Sequence, residues 1–300
     1  MDALVLEDVS KAFGALYAVD GLSLRVPTGC IYGFLGPNGA GKTTVLRMIM
    51  NILYPDAGTI RVLGDPLVEP AKERIGYMPE ERGLYQRMKL RSVLSYLGRL
   101  KGVSKGELGS RLSEWLAVMD LTQWADKRVN ALSKGMQQKA QFIATVINDP
   151  ELLILDEPFA GLDPVNLDII KGTLLRMREQ GKTIILSTHM MNHAEDLCDS
   201  ILLINEGKKI VDAPQNDIRS QYESNKVILE LEGDAAFLGQ LPMVESVAEL
   251  GREIEVSLKE GTDDQALLKA LVGRVRVRTF VVKVPTLHEI FLDLVGQSNA

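Results

Sequence analysis

Apolar residues alternate with polar ones from Leu4 to about Pro27, as in Leu22, Leu24 and Val26. That period predicts β-strands with one buried face. A short apolar run follows, Ile31, Tyr32, Phe34 and Leu35, of the kind a fully buried strand shows. Beyond it Val45, Leu46, Met48, Ile49, Ile52 and Leu53 recur near a 3.6 period, which predicts a helix across them. From about Met88 to Asn148 the period is helical again. Val93, Leu94, Leu97 and Leu100 form one set, and Leu108, Leu112, Trp115, Leu116 and Met119 another. Apolar strands return at Leu152–Leu155, Thr183–Leu186 and Ile201–Ile204. After about Pro214 a second pattern begins. Val227, Leu229 and Leu231 alternate, strand patterns recur at Ile254–Leu258 and Val275–Val284, and Asp264–Val272 reads as helix. Pro285 and Thr286 open a last helix, with Glu289 placed to close a capping box. Leu287, Ile290, Phe291, Leu294 and Val295 share its apolar face.

The first strand-to-helix transition carries the most chemistry. Residues 36–44 read Gly36-Pro37-Asn38-Gly39-Ala40-Gly41-Lys42-Thr43-Thr44, and Gly36, Gly41, Lys42 and Thr43 match the phosphate-loop pattern. Glycines let the backbone wrap an anion in φ/ψ regions that other residues avoid. The N–H groups at the following helix start, aided by the helix dipole, then face the phosphates. In this pattern Lys42 neutralises the β- and γ-phosphates and the Thr43 hydroxyl ligates Mg²⁺. A Gly-rich turn before a helix without this function is disfavoured, because strand, loop and helix are all in place.

Residues 152–158, Leu-Leu-Ile-Leu-Asp-Glu-Pro, form an apolar strand ending in two carboxylates. At such a strand end an aspartate, here Asp156, helps hold the metal that bridges the phosphates. Glu157 beside it is a candidate to polarise water for in-line attack.

With these two motifs the chain resembles an ATP-binding cassette (ABC) ATPase of the transporter type. The family signature is usually LSGGQ. The chain has Leu132, Ser133, Lys134, Gly135, Met136 and Gln137, so that Lys134 replaces the first glycine and Met136 displaces the glutamine by one. Ser133 and Gly135 precede a helix-like segment through Ala144, and Ser133 also suits an N-cap. The resemblance implies that they bind the γ-phosphate held by a second cassette. It further implies that Phe13 stacks on adenine and that Gly161, Leu162 and Asp163 cross a dimer interface. Ser187, Thr188 and His189 resemble the switch-histidine segment, while His193 and His288 read as structural or surface residues. Asp163 also reads as an N-cap with Pro164 at the first helical position. One departure stands out: in Gly76-Tyr77-Met78-Pro79-Glu80-Glu81-Arg82-Gly83 the family glutamine is replaced by Glu80. Glutamate keeps an oxygen for Mg²⁺ or water but loses the amide donor and adds a charge. This form resembles a subgroup that serves separately encoded export permeases.

Composition agrees. At 300 residues the chain suggests about two domains, and 46% hydrophobic with 25% charged residues is usual for a globular protein. No uninterrupted apolar stretch approaches the roughly 18 residues of a membrane helix, and no signal peptide is read at the start. A net charge of -6 argues against nucleic acid as a partner. Cys30 and Cys198 read as reduced packing residues of a cytosolic protein. Trp115 and Trp124 read as core or permease-contact residues.

The expected fold is α/β: a phosphate-loop NTPase cassette with a mixed core sheet, an antiparallel β-subdomain and a helical signature subdomain. The expected domains are 1–215, with the helical part at about 82–148, and a small α+β accessory domain at 216–300, in ferredoxin-like form. The expected function, with ATP and Mg²⁺, is the ATPase subunit of an exporter. It would act as a homodimer on an integral membrane permease, at the cytoplasmic face of the cell membrane. A soluble cassette acting outside transport and a non-hydrolysing nucleotide-dependent regulator are the alternatives. The first usually carries two cassettes or a long coiled coil, and intact Lys42, Asp156, Glu157 and His189 disfavour the second.

Overall fold

The computed structural model describes residues 1–65, 69–81, 83–221, 225–259, 261–283 and 285–298, excluding the side chains of 69–71, 221 and 295–298. The chain divides into two compact units, Met1–Gln215 and Asn216–Ala300.

The first unit begins with β1 (Asp2–Phe13), β2 (Leu16–Pro27), β3 (Ile31–Leu35), α1 (Lys42–Ile49), β4 (Ala57–Val62) and β5 (Ile75–Met78). Helices α2 (Leu90–Leu100), α3 (Lys105–Val118) and α4 (Lys134–Val146) follow. The chain continues through β6 (Leu152–Asp156), α5 (Pro164–Glu179), β7 (Thr183–Thr188), α6 (Met191–Glu195), β8 (Ser200–Asn205) and β9 (Lys208–Pro214). The alternating segment makes an antiparallel sheet in the order β2-β1-β4. The continuous apolar runs make a six-stranded sheet in the order β5-β6-β7-β3-β8-β9, parallel except for β9. Burial on both faces explains why β3 and β6 lack alternation: every residue of each is buried. One apolar cluster joins the two sheets through α1, including Leu4, Leu24, Val45, Leu46, Ile49 and Ile154.

Helix α1 is shorter than its period predicts. It stops at Ile49, Asn51 takes a left-handed φ of 54°, and Ile52 lies outside the helix, 56% exposed. In α2 and α3, Val93, Leu94, Leu108, Leu112 and Leu116 are buried as expected, as is Met119 at the C-cap of α3. Leu100 is 67% exposed because α2 ends there, at the cap residue Lys101. The Lys101 ammonium turns to the Ala144 and Thr145 carbonyls at 2.8 and 3.0 Å, near the C-terminal end of α4. Trp115 is half-buried, edge-on to Phe142 at 6.2 Å. Burial pushes the Cys30 thiol up to about 11 and the Cys198 thiol higher still, which suits inert packing residues.

Helix α7 (Gln215–Gln221) precedes β10 (Lys226–Glu232), β11 (Val244–Leu250), β12 (Glu253–Leu258), α8 (Asp264–Leu271), β13 (Arg276–Val282) and α9 (Leu287–Ser298). The four strands form an antiparallel sheet in the order β11-β12-β10-β13. That order is the ferredoxin-like split βαβ arrangement, with its first crossover reduced to the 3₁₀ turn Leu238–Gln240. Val227, Leu229, Val256, Leu258, Leu267 and Leu271 form its core. The capping box of α9 is formed: Thr286 N–H donates to Glu289 Oε2 at 2.8 Å, and Glu289 N–H to Thr286 Oγ1 at 3.2 Å. The Thr286 backbone N–H and then Lys283 hold the Glu289 carboxyl down at about 2. Leu287, Ile290 and Phe291 are buried. Val284 and the Val295 side chain, assigned above to the last strand and helix, lie outside the described residues.

Candidate functional site

Register assembles the site. In the parallel sheet Leu35 pairs with Thr188, and Asp156 pairs with Ser187. The residues that leave β3, β6 and β7 at their C-terminal ends therefore meet: the glycine loop, Glu157 and His189. Ligands of open α/β sheets bind at this edge.

The loop after β3 depends on two close approaches. At Gly36 a Cβ would lie 2.1 Å from the Ile204 carbonyl oxygen. Gly41 has φ 105°, and its Cβ would meet the Ala18 carbonyl oxygen at 2.2 Å. Gly41 is also the N-cap of α1 and gives no side-chain cap, and the first turn of α1 carries no acidic residue. The first-turn N–H groups of α1 are thereby left for an anion. They border a cavity of about 330 Å³ lined by Ala18, the loop residues Asn38–Thr44, Glu80 and Glu157.

Lys42 is 6% exposed. Its ammonium donates to the Gly36 and Pro37 carbonyls at 2.8 and 3.0 Å and lies 3.9 Å from Glu157 Oε1. Burial holds it below the ordinary lysine range, against the pull of Glu157, Asp156 and Glu80.

The two carboxylates after β6 sit in different surroundings. Asp156 is 1% exposed; its Oδ1 accepts from the Ser187 hydroxyl, and its Oδ2 is buried with no hydrogen-bond partner. A buried carboxylate oxygen without a donor is costly unless a cation completes it. Asp156 with the half-buried Thr43 therefore fits Mg²⁺, which usually takes one or two protein oxygens and completes its shell from phosphates and water. Glu157 has a left-handed φ of 48°, an uncommon state for a non-glycine residue. Its Oε1 accepts from His189 N–H at 3.0 Å and lies 2.9 Å from His189 Nδ1, and its Oε2 accepts from the Thr188 hydroxyl at 3.1 Å. A carboxylate only accepts, so Nδ1 carries a proton in this pairing. The His189 side chain is nearly half exposed, at 46%.

Glu80 is exposed at the rim of the same cavity. Arg82, part of the quoted Pro-Glu-Glu-Arg-Gly stretch, lies outside the described residues. Phe13 ends β1 and is 52% exposed, with the Lys11 ammonium 5.8 Å from its ring centre. Ser133 and Gly135 do not line the cavity. Ser133 caps α4, accepting from Met136 N–H at 3.2 Å, and Gly135 lies inside the helix rather than before it. Asp163 caps α5 through Asn166 N–H at 3.0 Å, with Pro164 first in the helix. His193 is half-buried and edge-on to Phe159, and His288 is exposed.

Two residues escaped the sequence reading. Gln138 donates to the carbonyls of Glu157 and Pro158 at 3.4 and 3.2 Å, and Gln141 to those of Pro79 and Glu81 at 2.8 and 3.2 Å. Their spacing of three on one helix was the available signal, but it reads equally as a polar helix face.

Comparison with known proteins fits this geometry. The family model described as ABC transporter matches residues 19–160. The model described as ATP-binding protein DrrA1-3-like, C-terminal domain, matches residues 214–295. The ABC transporter ATP-binding protein YhaQ of Bacillus subtilis (strain 168) is 40% identical over 98% of this chain and 98% of its own length. The Nod factor export ATP-binding protein I of Rhizobium sp. (strain N33) is 36% identical over 98% of this chain and 97% of its own. A solved structure described as the ATP binding subunit of an ABC transporter superposes with a TM-score of 0.68 at 30% identity, over 73% of this chain and 92% of that one. The chain belongs to the ATP-binding proteins of ABC transporters, the subunits that hydrolyse ATP to energise transport.

Proposed function

We propose that the cavity at the C-terminal edge of the parallel sheet is the ATP site and that its residues divide the work as follows. The loop Gly36–Thr44 wraps the phosphates, Lys42 neutralises their charge, and Phe13 stacks on the adenine. Thr43 and Asp156, with Glu80 at the rim, would hold Mg²⁺, which when bound offsets phosphate charge. Glu157 polarises the attacking water and His189 contacts the γ-phosphate. The observation that carries this reading is the buried Oδ2 of Asp156, left without a partner beside a glycine-lined anion cradle.

Both oxygens of Glu157 are engaged by its own chain through Thr188 and His189. For Glu157 to take a water proton, the His189 imidazole must release Oε1 and turn to the nucleotide, together with the Lys42 ammonium 3.9 Å away. A γ-phosphate is the group with the charge and oxygens to draw both. We infer that a second copy of the chain supplies the missing donors, from Ser133 and Gly135, and that closing the pair excludes bulk water. Ser133 is exposed and does not line the cavity of its own chain, which supports this assignment.

The permease is read as a separate membrane protein, a reading supported by the match of this chain to 98% of the length of the ATP-binding protein YhaQ. The relative named as an export protein supports outward transport, with the subunit held at the inner face of the cell membrane. The test is twofold. The purified chain should hydrolyse ATP only with Mg²⁺, and in membranes it should co-purify with an integral membrane protein. Binding without turnover would favour a regulator, and recovery only from the soluble fraction would favour a soluble cassette.

Glu80 gives a sharper check. With glutamine in its place an oxygen remains, so Glu80→Gln should keep much of the activity, whereas Glu80→Ala should lower it and raise the Mg²⁺ requirement. Near-wild-type titrations for both would make Glu80 a solvated loop residue.

Residues 1–215 are read as the ATPase domain and 216–300 as an accessory module. A chain ending at Gln215 is expected to bind ATP with similar affinity by calorimetry, because every residue lining the cavity lies between Ala18 and Glu157. A folded truncation that binds no ATP would refute the division.

A further inference from the structure

Gln141 lies on α4, away from the cavity wall, and is 5% exposed. Both hydrogens of its amide are committed to backbone, 2.8 Å from the Pro79 carbonyl and 3.2 Å from that of Glu81. These carbonyls flank Glu80, whose own side chain is exposed at the rim. An exposed carboxylate takes its position from the backbone that carries it, and here that backbone is held on both sides by one side chain. The other half of the amide is unsatisfied: Oε1 is buried and has no partner. A buried polar atom left unpaired costs ~1–3 kcal/mol, so a purely packing role would be better filled by methionine or leucine. The arrangement makes sense where the two donors are needed at that spot.

The helix that carries Gln141 also carries Gln138, which holds the carbonyls of Glu157 and Pro158. The two loops that bring carboxylates to the cavity are thus fastened to one helix, three residues apart. Of the two loops, Glu80 has the looser seat, since Glu157 is itself buried and fixed by Thr188 and His189.

We propose that Gln141 is a positioning residue for Glu80: by holding the Pro79 and Glu81 carbonyls it sets where the Glu80 carboxylate stands over the phosphate loop. The proposal rests on the reading of Glu80 as a metal-side or water-side group. Gln141→Met keeps length and burial but removes both donors.

The test is a double-substitution cycle with Glu80→Ala, joined to hydrogen exchange on the nucleotide-free, metal-free protein. In Gln141→Met the backbone amides around Pro79–Glu81 should exchange about tenfold faster, while those of the phosphate loop are unchanged. The Mg²⁺ concentration for half-maximal turnover should rise ~10–100-fold, the usual loss when an outer-shell partner is removed, with ATP affinity little changed. The variant carrying both changes should behave as Glu80→Ala alone. Losses that simply add would overturn the proposal and make Gln141 a general packing residue, as would unchanged exchange at the loop. If Glu80→Ala is silent while Gln141→Met is damaging, the reading of Glu80 fails, and positioning through Glu80 fails with it. Should the methionine variant not fold, Gln141→Asn carries the same test, its donors one methylene short, with an intermediate effect expected.

Discussion

Replacing Glu157 by glutamine is expected to leave ATP binding intact and to reduce turnover about 10²–10⁴-fold, the usual loss for a general base. That range corresponds to roughly 2.7–5.5 kcal/mol of barrier. The side chain is isosteric, and the proposed cradle for the phosphates is built from the loop after β3, so affinity has no reason to fall. One bond set does change. Oε1 of Glu157 now takes the His189 N–H and faces Nδ1, with Lys42 at 3.9 Å. An amide removes the negative charge that competes with the nucleotide for Lys42 and His189. The ATP-bound dimer should therefore accumulate, visible as an earlier peak in size-exclusion chromatography with ATP and Mg²⁺. Wild-type turnover by this variant would refute the assigned base.

Gly41→Ala is expected to reduce ATP affinity by about 10²-fold or more while leaving the rest of the cassette folded. Two penalties coincide at this position. The φ of 105° lies where L side chains carry strain, of order 1–3 kcal/mol. The new methyl would also fall 2.2 Å from the Ala18 carbonyl oxygen, a backbone atom that cannot rotate away. The loop must open or shift to relieve the clash, and its N–H groups then lose their common focus. Calorimetric titration with ATP measures the loss, and circular dichroism separates it from unfolding. Unchanged affinity would mean that the loop geometry is not what binds the phosphates.

Local chemistry was legible in the sequence because spacing and structure coincide within a few residues. The glycine loop, the strand end at Asp156 and Glu157, the caps at Ser133 and Asp163 and the capping box at Glu289 all form where their residue types predict. The buried strands were legible for the same reason, since continuous apolar runs have few alternatives. Three of the edge strands were not. β4 and β11 are exposed along much of their length, β9 is at most half-buried, and all three carry little apolar period, so only pairing with a neighbour defines them. The end of α1 was also missed, because Ile52 keeps the helical period while the chain turns at Asn51. Gln138 and Gln141 were out of reach for a different reason. Their partners are carbonyls of loops at Glu157–Pro158 and Pro79–Glu81, and any residue has a carbonyl. The convergence of Leu35, Asp156 and Thr188 likewise comes from sheet order, which follows from the whole chain rather than from any segment.

The grip of Lys42 on the carbonyls of Gly36 and Pro37 bears on the interval between one nucleotide and the next. A buried ammonium with nothing to bond is costly. Here the cation carries its own resting partners, so product departure exchanges one set of bonds for another instead of stranding a charge. The partners of the ammonium are thus supplied by the fold itself, two neutral carbonyls with the Glu157 carboxylate 3.9 Å away, and an anion that is to engage the lysine has to compete with all three.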